Sequence, residues 1–277
     1  MTDPLQPAAN PKEQPIGVFD SGLGGLTVVR QLQEQLPNES IIYFGDTARV
    51  PYGNKGADTI RRFSLQVVSF LEEQGVKLIV IACNTVSSVA LELIQDTTGL
   101  PVVGVIEPGA NAALRLSHSK RIGVIGTSAT IAAGKYPAIL KSLDSRVKVF
   151  TQACPLFVPL VEEGWLDSPV TEEIARIYLT SLLLKKIDCL ILGCTHYPLI
   201  KTTISKVLDG RIQVVDSAIE TAGEVRRVMQ HQGLLNDNPS VTSQLFYVSD
   251  FPQKFEEVAQ RLLGCPLVNV RRVNIDE

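Results

Sequence analysis

Ten short runs of consecutive apolar residues, rich in Val and Ile, alternate with segments of helical period along this chain. The runs lie near 16–20 (IGVFD), 41–45 (IIYFG), 78–82 (LIVIA), 102–106 (VVGVI) and 121–126 (RIGVIG). More follow near 147–150, 188–192, 212–215, 245–248 and 267–270. Strands that are apolar at successive positions are strands covered on both faces. Between them, 58–74 carries Ile60, Phe63, Val67 and Leu71 at spacings of three and four, the stripe of a helix packed on a sheet. Segments 86–97, 170–184, 218–231 and 252–263 read the same way. Such alternation builds βαβ units, so the expected fold class is α/β with mainly parallel sheets.

The pattern occurs twice. "PIGVFDSGLGG" at 15–25 resembles "RIGVIGTSATI" at 121–131, and "LIVIACNTVS" at 78–87 resembles "CLILGCTHYP" at 189–198. The first pair is offset by 106 positions and the second by 111, measured from Cys83 to Cys194. Two anchors at nearly one offset imply two similar α/β lobes. The expected division is a disordered tail over 1–14, a first lobe of 15–107 plus 218–277, and a second of 108–217. The crossings fall near Pro108 and Ser217.

At 277 residues with 45% hydrophobic and 20% charged side chains, the chain can bury a sizeable core. Its net charge of −3 and lack of a basic run give nucleic acid no footprint. No apolar stretch approaches the roughly 20 residues that span a bilayer. The polar, proline-rich start lacks the apolar segment of a secretory signal, so a cytoplasmic location is expected. Five cysteines, an odd number with no C-x-x-C pair, argue against a disulfide framework. Three histidines, at 118, 196 and 231, form no zinc-like spacing, so no metal is expected.

Ligands of open parallel sheets bind beyond the carboxyl ends of the strands. The chemistry-bearing residues sit at such ends: Asp20-Ser21, Cys83-Asn84-Thr85, Thr127, and Cys194-Thr195-His196. If the lobes face each other, two thiols approach one cleft from opposite sides. A thiol near a helix N-terminus has a lowered pKa, and that is expected of both. Cys189, Cys265 and Cys154 read as packing. "DSGLGG" fails the dinucleotide fingerprint at Thr27, so no nicotinamide cofactor is expected; its turn offers backbone N–H groups to a small anion. Asp20 fits a helix cap, or an acid that moves a thiol's proton or holds an ammonium. His196 fits a partner for a cysteine, a carboxylate or a ligand. The turn-rich "VPYGNKG" is a surface loop, or one whose Tyr52 and Gly53 close on a ligand. Glu162 reads as a solvated helix face.

Two like groups on opposite sides of a cleft suit stereoinversion at a carbon bearing hydrogen. One group removes the proton and its twin delivers a new one to the other face. Three rivals stand beside it: racemisation of aspartate or another small acid, a hydrolase using Cys194 and His196 as nucleophile and base, and a two-lobed binding protein without chemistry.

Through "IGVFDSGLGG", "YFGDTARVPYG", "ACNT", "CPLFVPLVEEG" and "LGCTHYPL", the chain resembles the glutamate racemases of the cofactor-independent aspartate/glutamate racemase superfamily. The likeness covers nearly everything but the N-terminal tail. It implies two α/β domains with the active site between them. It implies interconversion of L- and D-glutamate without pyridoxal phosphate or metal, with Cys194 acting on the L-enantiomer and Cys83 on the D-enantiomer. Asp20, Ser21, Tyr52, Gly53, Asn84, Thr85, Thr127, Thr195 and His196 are then substrate-binding residues. Asp20 and His196 also assist the thiols, with Glu162 as a weaker candidate. The resemblance further implies a cytoplasmic homodimer that supplies D-glutamate for peptidoglycan.

Overall fold

The computed structural model describes residues 10–238, 242–263, 267 and 269–275. Its strands are β1 (Ile16–Asp20), β2 (Ile41–Gly45), β3 (Leu78–Ile81), β4 (Val102–Gly104), β5 (Arg121–Gly126), β6 (Lys148–Ala153), β7 (Cys189–Gly193), β8 (Gln213–Asp216), β9 (Gln244–Val248) and β10 (Val270–Arg272). They form two sheets, ordered β10-β9-β2-β1-β3-β4 and β6-β5-β7-β8. Every pairing is parallel.

The order β2-β1-β3-β4 in one sheet is the order β6-β5-β7-β8 in the other. The registers agree as well. Ile16 lies opposite Leu78 in the first sheet, and Ile122 lies opposite Cys189 in the second. Counting along the chain, Cys83 and Cys194 stand equally far past Leu78 and Cys189, and Ser21 and Thr127 equally far past Ile16 and Ile122. In each sheet the chain leaves the central strand in one direction and later returns to its other side. The crevice at such a reversal, beyond the strand ends, is where open sheets bind ligands. Each reversal is flanked by one thiol and one hydroxyl residue.

β1, β2, β3 and β7 are buried along their whole length, as strands covered on both faces must be. One apolar cluster crosses from lobe to lobe, from Ile16, Val18 and Val80 to Ile122, Val124 and Ile191. The helices Ile106–Leu116 and Ser217–Gln232 carry it, packed on each other and on Lys135–Leu143 and Leu26–Gln35 respectively.

Several boundaries differ from the sequence reading. β4 stops at Gly104 because a helix begins at Ile106, and Pro108 sits in that helix's first turn. The helix expected over 86–97 is two, Asn84–Val89 and Leu91–Thr97, broken at Ala90. β6 runs on through Thr151–Ala153 as the sheet's edge strand. Of the tail expected over 1–14, residues 1–9 lie outside the described residues. Residues 11–13 form a 3-10 turn, and the Lys12 carbonyl accepts from the buried Lys77, so this end of the tail is ordered. Cys265 also lies outside the described residues. No helix among those described is long and apolar enough to cross a membrane.

Candidate active site

A cavity of about 350 Å³ opens beyond the strand ends of both sheets. Both thiols line it, with Ser21, Tyr52, Gly53, Asn84, Thr85, Thr127, Thr195 and His196. The structure therefore brings together every candidate named from the sequence except Asp20. That residue is fully buried and does not line the cavity, but it touches Thr195, which does.

Asp20 ends β1, and its carboxylate turns back on its own loop. It accepts the Gly22 N–H at 2.8 Å and the Thr195 hydroxyl at 3.4 Å, and the Gly25 N–H also bonds it. The turn expected to hold a small anion thus already holds one from within the chain. Burial raises the Asp20 pKa, against the lowering pull of His196 and these donors. Gly24 lets the turn pack: a Cβ there would lie 2.3 Å from Thr195 Oγ1 and 2.6 Å from His196 Nδ1.

Cys83 precedes the helix Asn84–Val89 and donates to the Ser21 hydroxyl at 3.3 Å. The sequence reading expected its pKa to be lowered. The opposite holds, and the thiol is pushed up to about 12. Burial is the main cause and the negative charge of Asp20 the next; the Ser21 hydroxyl and the Val86 N–H only partly offset them. One short helix end does not outweigh desolvation.

Cys194 follows β7 and enters a turn rather than a helix: Tyr197 N–H closes on its carbonyl at 3.1 Å. Its Sγ lies 3.8 Å from His196 Nδ1, and His196 Nε2 lies 3.1 Å from Glu162 Oε1. Burial pulls the His196 pKa down, but Cys194 and Glu162 outweigh it and carry the imidazolium up to about 10. Glu162 is therefore not a solvated helix face. It lines the cavity and completes a thiol–imidazole–carboxylate row. Its link to His196 spans 34 positions of sequence, so no local spacing signals it.

The lobes also meet through hydroxyls. Thr85, Thr127 and Thr130 form a closed triangle with sides of 2.9, 3.1 and 2.9 Å. Asn84 Oδ1 accepts from Tyr136 at 2.6 Å, while its Nδ2 is buried with no partner among the described residues. Leaving such a donor unmet costs roughly 1–3 kcal/mol, and Asn84 lines the cavity. Tyr52 is held from behind: its hydroxyl donates to Asp46, which also accepts from Arg49 at 2.7 Å and Ser249 at 2.8 Å. Gly53 lies against Thr127, where a Cβ would come within 2.7 Å of its Cβ. Cys154 and Cys189 are fully buried, and burial raises both thiols. Among the described residues no group of three or more His, Cys, Asp or Glu side chains is arranged to hold a metal ion.

A family model described as Asp/Glu/Hydantoin racemase matches residues 16–225. A glutamate racemase of Geobacter metallireducens is 48% identical over 261 residues, 94% of this chain and 97% of that protein. The crystal structure of a glutamate racemase from Bacillus anthracis superimposes with a TM-score of 0.92 at 40% identity, covering 95% of this chain and 98% of that one. That of Francisella tularensis, solved with D-glutamate, gives 0.91 at 40% identity over 96% and 99%.

Proposed function

This chain belongs to the Asp/Glu/Hydantoin racemase family, and from that premise we propose that its cavity interconverts L- and D-glutamate with two thiols. The observation that carries the proposal is the placement of Cys83 and Cys194 at equivalent strand ends of two facing sheets, lining one cavity.

The proton chemistry follows from their surroundings. His196 Nδ1 lies 3.8 Å from Cys194 Sγ, placed to assist a proton moving to or from that sulfur. Cys83, with its pKa near 12, keeps its proton. In the L-to-D direction the reaction needs Cys194 as the base and Cys83 as the acid. Bound L-glutamate gives its α-proton to Cys194 as the Cα–H bond breaks. The electron pair delocalises into the α-carboxylate. Cys83 then gives its proton to the opposite face of Cα, which leaves D-glutamate, a protonated Cys194 and a Cys83 thiolate. The reverse reaction starts from that second state, and the buried Asp20 assists proton movement at Cys83. Asn84 Nδ2, Thr85, Thr127, Thr195, Ser21, Tyr52 and the Gly53 backbone surround the substrate's polar groups. Exclusion of water from the cavity when substrate is bound strengthens each of these contacts.

The same reading makes the enzyme a cytoplasmic homodimer that supplies D-glutamate for peptidoglycan. It divides the chain into a first lobe of 15–107 plus 218–277 and a second of 108–217. Circular dichroism of the purified protein with L-glutamate and, separately, L-aspartate tests it. Decay of optical activity with glutamate alone is expected. An inert protein, or one that prefers aspartate, overturns the assignment. A cysteine hydrolase would leave Cys83 idle, so equal activity of Cys83→Ala would revive that rival.

A further inference from the structure

Nothing in the sequence reading gave Tyr136 a role, yet it touches both thiol turns. It belongs to the helix Lys135–Leu143, is 1% exposed, and does not line the cavity. Its hydroxyl donates to Asn84 Oδ1 at 2.6 Å, one residue after Cys83. Its ring lies against Gly193, one residue before Cys194, where a Cβ would sit 3.2 Å from Tyr136 Cε2. The hydroxyl oxygen is 3.7 Å from where a Cβ on Gly109 would be, so the phenol is enclosed on that side too.

The contact does more than fill space. With the phenol donating to Oδ1, Nδ2 is the end of the amide without a partner among the described residues. Without that hydrogen bond the Asn84 side chain loses the side-chain contact that holds its amide in this orientation. The next residue, Thr85, is held from the same stretch of lobe two by Thr127 and Thr130. The helices Ser128–Ala133 and Lys135–Leu143 meet at Gly134, whose φ of 66° lets the chain turn between them. One segment of the second lobe therefore grips two consecutive residues beside the first lobe's thiol.

We propose that Tyr136 is a positioning residue for the racemisation: its hydroxyl orients the Asn84 amide toward the substrate, and its ring sets the spacing between the Cys83 and Cys194 turns. The inference rests on the racemase reading of the cavity.

Tyr136→Phe removes the hydroxyl and keeps the ring, so it separates the two roles. In the full-length protein it is expected to raise KM for glutamate about tenfold, the weight of one hydrogen bond, with kcat changed less than about threefold. Asn84→Ala is expected to raise KM at least as far, and the double variant no further than Asn84→Ala alone, because Tyr136 acts through Asn84. Tyr136→Leu, which also loses the ring, is expected to lower kcat as well. A KM for Tyr136→Phe equal to wild type overturns the inference. So do fully additive effects of Tyr136→Phe and Asn84→Ala. Calorimetric binding of D-glutamate, measured in parallel, distinguishes this failure from that of the racemase reading. Wild-type protein that binds glutamate without inverting it contradicts the racemase reading, while weaker binding by Tyr136→Phe would still uphold the role of Tyr136. Wild-type protein that neither binds nor inverts glutamate overturns both.

Discussion

The turn after β3 and the turn after β7 hold equivalent places in two sheets that share a four-strand order, yet they treat their thiols differently. Cys83 is buried beside a hydroxyl and within reach of the Asp20 charge, and burial holds its proton on. Cys194 faces an imidazole backed by a carboxylate. Repetition of the fold puts like groups on opposite faces of the substrate. Divergence of the neighbours gives the two groups different surroundings.

Loss of either thiol should have the largest effect. Cys83→Ala and Cys194→Ala are each expected to slow racemisation by about 10³- to 10⁴-fold, followed by circular dichroism. Retention of more than a tenth of the activity by either variant would break the comparison.

Gly24→Ala comes next. Its Cβ would collide with Thr195 and His196, the residues that follow Cys194. A loss of about 10²-fold in kcat/KM is expected, as for misplacement of a catalytic group by about 1 Å. Wild-type rates would show that this packing is irrelevant.

The imidazole row supplies the pH test. His196 titrates near 6.5 when free and near 10 here. Its pairing therefore stabilises the fold fully below about pH 6.5 and is lost as pH rises through about 10. Glu162→Gln removes part of what holds the proton, so the basic limb of kcat/KM should move down by roughly 1 pH unit. An unmoved limb would separate Glu162 from the chemistry. Since L- and D-glutamate are equal in energy, kcat/KM must fall equally in both directions. The asymmetry of the two turns can then appear only in kcat and KM taken separately.

The smallest effect belongs to the hydroxyl triangle. Thr130→Val opens it and should cost about 1 kcal/mol of stability, lowering Tm by about 2–4 °C in a thermal melt. No change would mean that the triangle holds nothing.

The parallel sheets were legible because buried strands announce themselves as unbroken Val and Ile runs, and β1, β2 and β5 begin and end where those runs do. β6 was only half legible: as an edge strand it carries Thr151 and Gln152, which no apolar run includes. Ser21, Cys83, Asn84, Thr85, Thr127, Cys194, Thr195 and His196 lay at strand ends and could be named from position, whereas Tyr52 and Gly53 lay in a loop whose role rested on the family resemblance. What supports these residues could not be named from position. Glu162 reaches His196, Tyr136 reaches Asn84 and Asp46 holds Tyr52 through contacts made by folding that no local spacing signals, although Glu162 and Asp46 lie in stretches that carry the family resemblance. The thiol pKa was misjudged for a related reason. A helix end is visible in sequence, whereas the burial and the nearby Asp20 charge that outweigh it are properties of the packed site.

The most direct test of two unequal thiols is the early fate of deuterium. L-Glutamate is incubated with the enzyme in D2O, and both enantiomers are separated and weighed by mass spectrometry before a tenth has turned over. Two opposed thiols, each exchanging with solvent, predict D-glutamate that carries deuterium at Cα and recovered L-glutamate that does not. Label-free D-glutamate, or label entering both enantiomers equally from the start, would mean that one base serves both faces and would contradict the account.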